Sequence, residues 1–217
     1  MLSVEWLMKH KLVAIARRVA KEDIADMARA LYDGGVRSLE ITFDQSNPDC
    51  LLETARSIEI VKDTMEDKMM IGAGTVLNAE QAVTAAKAGA SFILSPDTNI
   101  EVIEKVKELG LVSVPGAMTP SEIMLAWNHG ADIVKLFPAG VLTLSYYKAI
   151  KGPISHVPLM AVGGIGLENM KTFLDAGFCS CGIGSNIVRN DLIKERRFEE
   201  LTKLAEEYSS LVKEKKE

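Results

Sequence analysis

Three charged side chains stand in runs that read as buried strands. They are Lys135 in Asp132-Ile-Val-Lys-Leu-Phe-Pro138, Glu40 in Val36–Phe43, and Arg17 closing Leu12–Arg17. A charge withdrawn from water costs free energy unless it is paired or put to use. Of the three, lysine is the one that can attack a carbonyl carbon and form an imine. Burial and a nearby guanidinium both favour its neutral, nucleophilic amine. An adjacent carboxylate can carry protons during carbinolamine dehydration and bond cleavage. The set Lys135, Glu40 and Arg17 therefore points to Schiff-base chemistry. The competing reading is a buried Lys135–Glu40 salt bridge without chemistry, a weak stabilising device because desolvation opposes the attraction.

A second signal is a pair of glycine loops, Val162-Gly163-Gly164-Ile165 and Gly182-Ile183-Gly184-Ser185-Asn186. Glycines let backbone N–H groups approach an anion, and the first loop is expected to open a helix near Leu167, adding favourable potential. Together they suggest a phosphate site; alone, each also reads as an ordinary tight turn. His10, His129 and His156 are widely separated and sit at no ligand spacing with a carboxylate, so no metal site or cofactor is expected. Cys50, Cys179 and Cys181 lack metal-type spacing; Cys179 and Cys181, two apart in an apolar run, read as buried thiols, and a reducing cytoplasm is expected.

These groups need elements to carry them. Short β-like runs at Leu12–Ala16, Val36–Phe43, Met69–Ala73, Ser91–Leu94, Leu111–Val114, Asp132–Phe137, Pro158–Val162 and Cys179–Ile183 alternate with longer helical segments. In Lys21–Tyr32, for example, Ile24, Met27, Ala28 and Leu31 form one apolar stripe. Helix stops are marked by Gly34-Gly35, Gly89, Gly110, Gly130 and Gly177. Starts are marked by Asn78 with Gln81, and by Thr119-Pro120 with Glu122. Strand alternation puts Ile133, Lys135 and Phe137 on one face, and Ser38, Glu40 and Thr42 on one face of the second run. Leu39, Ile41 and Phe43 belong against helices, so Glu40 points inward.

Eight strands alternating with helices predict an α/β fold, a single (β/α)₈ TIM barrel over residues 1–217, with Met1–Lys11 as an extra N-terminal helix covering the barrel bottom. An open doubly wound sheet is the alternative, but the glycine pattern of a dinucleotide-binding first turn is missing after Leu12–Ala16. In a barrel the active site lies at the C-terminal ends of the strands, where Lys135, Glu40 and Arg17 converge and where phosphate loops follow strands seven and eight. No run approaches the length of a membrane span, and Met1–Lys11 lacks a secretory h-region. The net charge of −5 and scattered basic residues argue against a nucleic-acid partner. Lys213-Glu214-Lys215-Lys216 reads as a solvated helix end.

The chain resembles the 2-keto-3-deoxy-6-phosphogluconate (KDPG) aldolase family, also called 4-hydroxy-2-oxoglutarate (KHG) aldolase. The resemblance spans nearly everything from Leu12 to Val188. It is carried by Gly34-Gly-Val-Arg-Ser-Leu-Glu-Ile-Thr42, Gly72-Ala-Gly-Thr-Val-Leu-Asn78, Ser95-Pro96, Pro115-Gly116 with Thr119-Pro-Ser-Glu122, Lys135-Leu-Phe-Pro-Ala139, Gly163-Gly-Ile165 and Gly184-Ser185. It implies a cytoplasmic, homotrimeric, metal-independent aldolase that splits a keto acid into pyruvate and an aldehyde. By motif position it implies Lys135 as the imine-forming residue and Glu40 as general acid/base through water. Arg17 and Thr75 would hold the pyruvate end, Phe137 would pack on the pyruvyl group, and Gly163, Gly164 and Ser185 would meet a substrate phosphate. Two positions depart from the pattern. Asp44 stands where some members have a substrate-contacting arginine, and Val162 where many have threonine. A sugar-phosphate isomerase or epimerase on the same barrel would share the phosphate loops without needing the lysine. A non-catalytic sugar-phosphate binding protein would need only the ion pair.

Overall fold

A computed structural model describes residues 3–212. Its parallel strands are β1 (Leu12–Ala16), β2 (Ser38–Thr42), β3 (Met70–Gly74), β4 (Phe92–Leu94), β5 (Val112–Val114), β6 (Gly116–Ala117), β7 (Val134–Leu136), β8 (Leu159–Val162) and β9 (Ser180–Ile183). They are ordered β5-β4-β3-β2-β1-β9-β8-β7-β6. The chain's first strand pairs with both β2 and β9, so the sheet curls round on itself. Among the described residues the one gap in this ring falls between β5 and β6, neighbours in the chain on either side of Pro115.

That interruption corrects the expected count of eight strands to nine among the described residues. Proline has no N–H to give to a ladder, so the expected fifth strand is split. The Pro115 carbonyl still accepts the Lys135 N–H at 2.8 Å, and the Ser113 carbonyl accepts the Asp132 N–H at 2.9 Å. The barrel is thus nearly closed, and the break lies beside Lys135, the register partner of Gly116.

The helices are α1 (Val4–His10), α2 (Ile24–Asp33), α3 (Cys50–Met65), α4 (Ala79–Ala88), α5 (Ile100–Glu108), α6 (Pro120–Asn128), α7 (Leu144–Lys151), α8 (Met170–Asp175), α9 (Asn190–Lys194) and α10 (Phe198–Val212). The start signals act as read. Asn78 caps α4 by accepting the Gln81 N–H at 2.9 Å, and Thr119 with Glu122 forms a reciprocal capping box on α6. Among the stops, Gly89 and Gly177 take left-handed φ of 99° and 102°, a conformation a side chain would oppose. The expected helix near Leu167 instead begins at Met170. The Asn169 side chain accepts the Gly166 N–H and donates to the Gly164 carbonyl, both at 2.9 Å, which holds the chain in a turn and delays the helix. The Lys213–Lys216 cluster lies outside the described residues.

Alternation sorts the side chains into two cores. Leu12, Ala14, Leu39, Ile41, Val134 and Leu136 join the core between sheet and helices. Val13, Ile15, Met70, Phe92, Ile133 and Met160 fill the barrel, with Leu7 of α1 among them at 0% exposure. Glu40 and Lys135 share the inward parity of the second set. No helix of the described residues is long and apolar enough to cross a membrane.

Candidate active site

Lys135 is held in the middle of β7, opposite Gly116 on one side and Met160 on the other. It is only 6% exposed. Its Nζ lies 4.9 Å from the centroid of the Phe137 ring, a cation–π distance for the charged amine. Burial pushes the Lys135 pKa down and the Arg17 guanidinium adds to this, against the attraction of Glu40 and Asp97. The balance raises the share of neutral amine at neutral pH, the form that attacks a carbonyl.

Glu40 sits in β2, opposite Ile15 and Gly72. It is 2% exposed, and its Oε2 has no hydrogen-bond partner. Burial lifts its pKa to about 7, against the pull of Lys135 and Arg17. A carboxyl with that pKa can give or take a proton near neutrality. Its position depends on Gly74, where a Cβ would stand 1.5 Å from Glu40 Oε1.

No Lys135–Glu40 ion pair within 4.0 Å exists among the described residues. The salt-bridge alternative is thereby corrected. The two groups feel each other's charge without touching, and Glu40 Oε2 is buried with no protein hydrogen-bond partner. An unpaired buried carboxylate is costly to keep, which favours a chemical role over a structural one.

Arg17 Nη2 donates to Thr75 Oγ1 at 3.4 Å. Thr75 has φ of 56°, a left-handed conformation that is a genuine outlier for a β-branched residue. The carbonyl of Thr75 accepts from Gln45 Nε2 at 2.7 Å, and Gln45 Oε1 accepts from Gln81 Nε2 at 2.9 Å. Gln81 Oε1 then takes the Leu77 N–H at 2.7 Å. This relay over-determines the strained turn, as conformational strain at functional positions requires.

A cavity of about 360 Å³ opens at the C-terminal ends of the strands, lined in part by Ile15, Arg17, Phe137, Val162, Gly163, Gly164 and Ser185. Lys135, Glu40 and Thr75 are not in its wall; Arg17, which touches Thr75, and Phe137, beside Lys135, are. The Gly164 and Ser185 N–H groups make no backbone hydrogen bond outside the regular elements. Asn169 pins the first loop through the Gly164 carbonyl, and Asn186 pins the two loops together by donating to the Ile165 carbonyl at 2.9 Å. With α8 starting late, these amides belong to the loops and not to a helix terminus.

Sequence patterns single out neither Arg18, Asn190, Gln45 nor Asn169, and they mark Gln81 only as part of a helix start and Asn186 only as part of a glycine loop. All lie in loops or early helix turns, where polar residues are ordinary. Asn190 lines the cavity and donates to the Arg17 carbonyl at 3.2 Å, with its Oδ1 buried and unpaired. Asp44, the position that departs from the resemblance, is not in the cavity wall. The histidines lie apart: His10 packs at a tilt against Trp6, His129 meets Glu104 at 3.0 Å, and His156 packs edge-on to Trp127.

Comparisons with known proteins point to one family. The family model "KDPG and KHG aldolase" matches residues 4–204. The KHG/KDPG aldolase of Escherichia coli K12 is 36% identical over 190 residues, 86% of this chain and 84% of that protein. The 2-dehydro-3-deoxy-6-phosphogalactonate aldolase of the same organism is 31% identical over 210 residues, 96% of this chain and 100% of that protein. The crystal structure of KDPG aldolase from Legionella pneumophila, with pyruvate captured at low pH as a covalent carbinolamine intermediate, superposes with a TM-score of 0.84. It is 28% identical and is matched over 94% of this chain and 97% of that one. On a family match spanning nearly all of its length, this chain belongs to the KDPG and KHG aldolases, a family of lyases.

Proposed function

We propose that this chain is a Schiff-base aldolase for a 2-keto-3-deoxy-6-phosphogluconate or 4-hydroxy-2-oxoglutarate type of keto acid. The products are pyruvate and an aldehyde, glyceraldehyde 3-phosphate or glyoxylate. The observation that carries this reading is Lys135, an amine buried inside the barrel with a lowered pKa and an unpaired carboxyl, Glu40, for company.

Lys135 Nζ adds to the keto carbon to give a carbinolamine. Glu40, having taken the Lys135 ammonium proton through water to free the attacking amine, returns it to the departing hydroxyl and leaves the iminium. The Glu40 carboxylate then takes the proton of the C4 hydroxyl. The C3–C4 bond breaks, its electrons pass into the iminium, and the aldehyde departs. The enamine is protonated at C3, and water hydrolyses the imine to release pyruvate and the free amine. Arg17 and Thr75 hold the pyruvate carboxylate, Phe137 packs on the pyruvyl group, and Gly163, Gly164 and Ser185 receive the phosphate.

The same machinery suits 2-keto-3-deoxy-6-phosphogalactonate, and the likeness to an aldolase named for that compound favours it as a second substrate. Comparing kcat/KM for the two epimers separates the readings. We further place the enzyme in the cytoplasm as one barrel domain per protomer and three protomers per assembly, which sedimentation equilibrium tests.

The decisive experiment is borohydride reduction in the presence of pyruvate, followed by intact mass and peptide mapping. The expected result is a mass gain of pyruvate less one oxygen, on Lys135, absent from Lys135→Ala. No adduct on folded protein moves the reading to an isomerase or to a binding protein. Full activity in Lys135→Ala ends the imine mechanism.

A further inference from the structure

Two consecutive arginines follow β1, and the structure sends them to different places. Arg17 turns to Thr75. Arg18 is engaged side-on by Asp44, with Nε at 2.8 Å from Oδ2 and Nη2 at 3.1 Å from Oδ1. The same carboxylate accepts the Ser46 N–H at 3.2 Å and the Ser46 hydroxyl at 2.7 Å. Four donors therefore occupy Asp44. Asp44 lines a separate cavity of about 340 Å³ together with Arg18. Arg18 borders both cavities and stands as the partition between them.

The lining of the substrate cavity holds Arg17 and Arg18 and no carboxylate. Asp44 takes Nε and Nη2 of Arg18, and the Nη1 group has no hydrogen-bond partner among the described residues. A guanidinium gripped on one edge presents its remaining N–H groups as a fixed donor edge, suited to phosphate or carboxylate oxygens. A stabilising role does not explain the arrangement. Arg18 is 66% exposed in its side chain, and exposed ion pairs contribute little. Its φ of 55° is left-handed, which costs stability in a residue with a side chain.

We propose that Arg18, clamped by Asp44, binds the anionic tail of the keto acid, the end remote from the carbonyl that meets Lys135. This rests on the aldolase reading above. Asp44 then acts as a positioning residue that aims Arg18 and keeps its own charge out of the substrate's path.

The test is steady-state kinetics of wild type, Arg18→Ala, Arg18→Lys and Asp44→Asn on three substrates. These are 2-keto-3-deoxy-6-phosphogluconate, 4-hydroxy-2-oxoglutarate and unphosphorylated 2-keto-3-deoxygluconate, with pyruvate trapping by borohydride run on each protein. For Arg18→Ala, KM for a charged tail is expected to rise about tenfold or more, the loss of one charge-assisted contact. Its kcat, its KM for the neutral tail and its pyruvate trapping stay as in wild type. Arg18→Lys recovers part of the loss, and Asp44→Asn shifts KM in the same direction by less. A rise confined to the phosphorylated substrate assigns a phosphate tail, and one confined to 4-hydroxy-2-oxoglutarate assigns a carboxylate. Equal KM changes for charged and neutral tails, or none, overturn the proposal while trapping stays intact. Failure of the wild type to trap pyruvate overturns the aldolase reading and this proposal with it.

Discussion

At the scale of single residues, the candidate site was legible where a charge fell on the inward face of a strand. Lys135, Glu40 and Arg17 announced themselves in this way, and alternation alone put Glu40 and Lys135 inside the barrel. Arg18 and Asn190 gave no such signal, because a polar residue in a loop is the norm. The Glu40 environment makes a pH prediction. Its carboxyl titrates at about 7 because burial disfavours the charge. As the base for the C4 hydroxyl it must be ionised, so kcat/KM should climb as pH rises from 6 to 8 through about 7. Glu40→Gln should lose roughly 10²–10⁴-fold in kcat and flatten that limb of the profile. Stability runs the other way. A folded pKa above the unfolded value near 4.5 gives a contribution that is complete below pH 4.5 and lost as pH rises through about 7. Wild type and Glu40→Gln should therefore have similar urea midpoints at pH 4.5, with Glu40→Gln the more resistant at pH 8. A midpoint gap that does not widen with pH would contradict the buried, unpaired carboxyl.

At the scale of elements, hydrophobic periodicity located each expected strand because parallel strands buried on both faces are continuous apolar runs. Pro115 hid a break, since Leu111–Val114 ends naturally before it and Gly116–Ala117 is too short to show a pattern. The late start of α8 was hidden for another reason: it depends on two bonds from the Asn169 side chain, and such bonds leave no periodicity. The β3 terminus shows how an element positions a site. Gly74 ends the strand and Thr75 turns left-handed at once. A methyl group at 74 would displace Glu40 Oε1, so Gly74→Ala should cut kcat by about 10²-fold or more through the misplaced base. Overpacking should add a stability loss of about 1–3 kcal/mol. A double-mutant cycle isolates the cause. If Gly74 acts through Glu40, then Gly74→Ala in a Glu40→Gln background should cost little further activity, because contacting residues are non-additive. Additive losses would place the role of Gly74 elsewhere.

At the scale of the whole molecule, the two cores divide the labour of the fold. The outer core joins sheet to helices, and the inner core is a narrow column of Val13, Ile15, Met70, Phe92, Ile133 and Met160 under the reacting groups. A column so placed must be sealed at its N-terminal end, or water would reach it from below and relax the burial that shifts Glu40 and Lys135. Helix α1 supplies the seal: Leu7 is fully buried against that column while its neighbour Met8 is 38% exposed. The sequence marked the helix and its place, and only packing shows which residue plugs the barrel. Leu7→Ala should lower unfolding stability by about 2–5 kcal/mol, since the rigid ring of strands cannot collapse into the space. In a chain of this size each kcal/mol moves Tm by roughly 2–4 °C. Met8→Ala should change stability by about 0.5 kcal/mol or less, as expected for a surface change. Well below its Tm, Leu7→Ala should still trap pyruvate on Lys135, because the plug touches neither the lysine nor the cavity. Its kcat/KM rise should shift to lower pH as water entering from below eases the burial of Glu40. A fully stable Leu7→Ala protein would mean that the barrel closes without the helix. A destabilised one with the wild-type pH profile would mean that the seal protects the fold and not the chemistry above it.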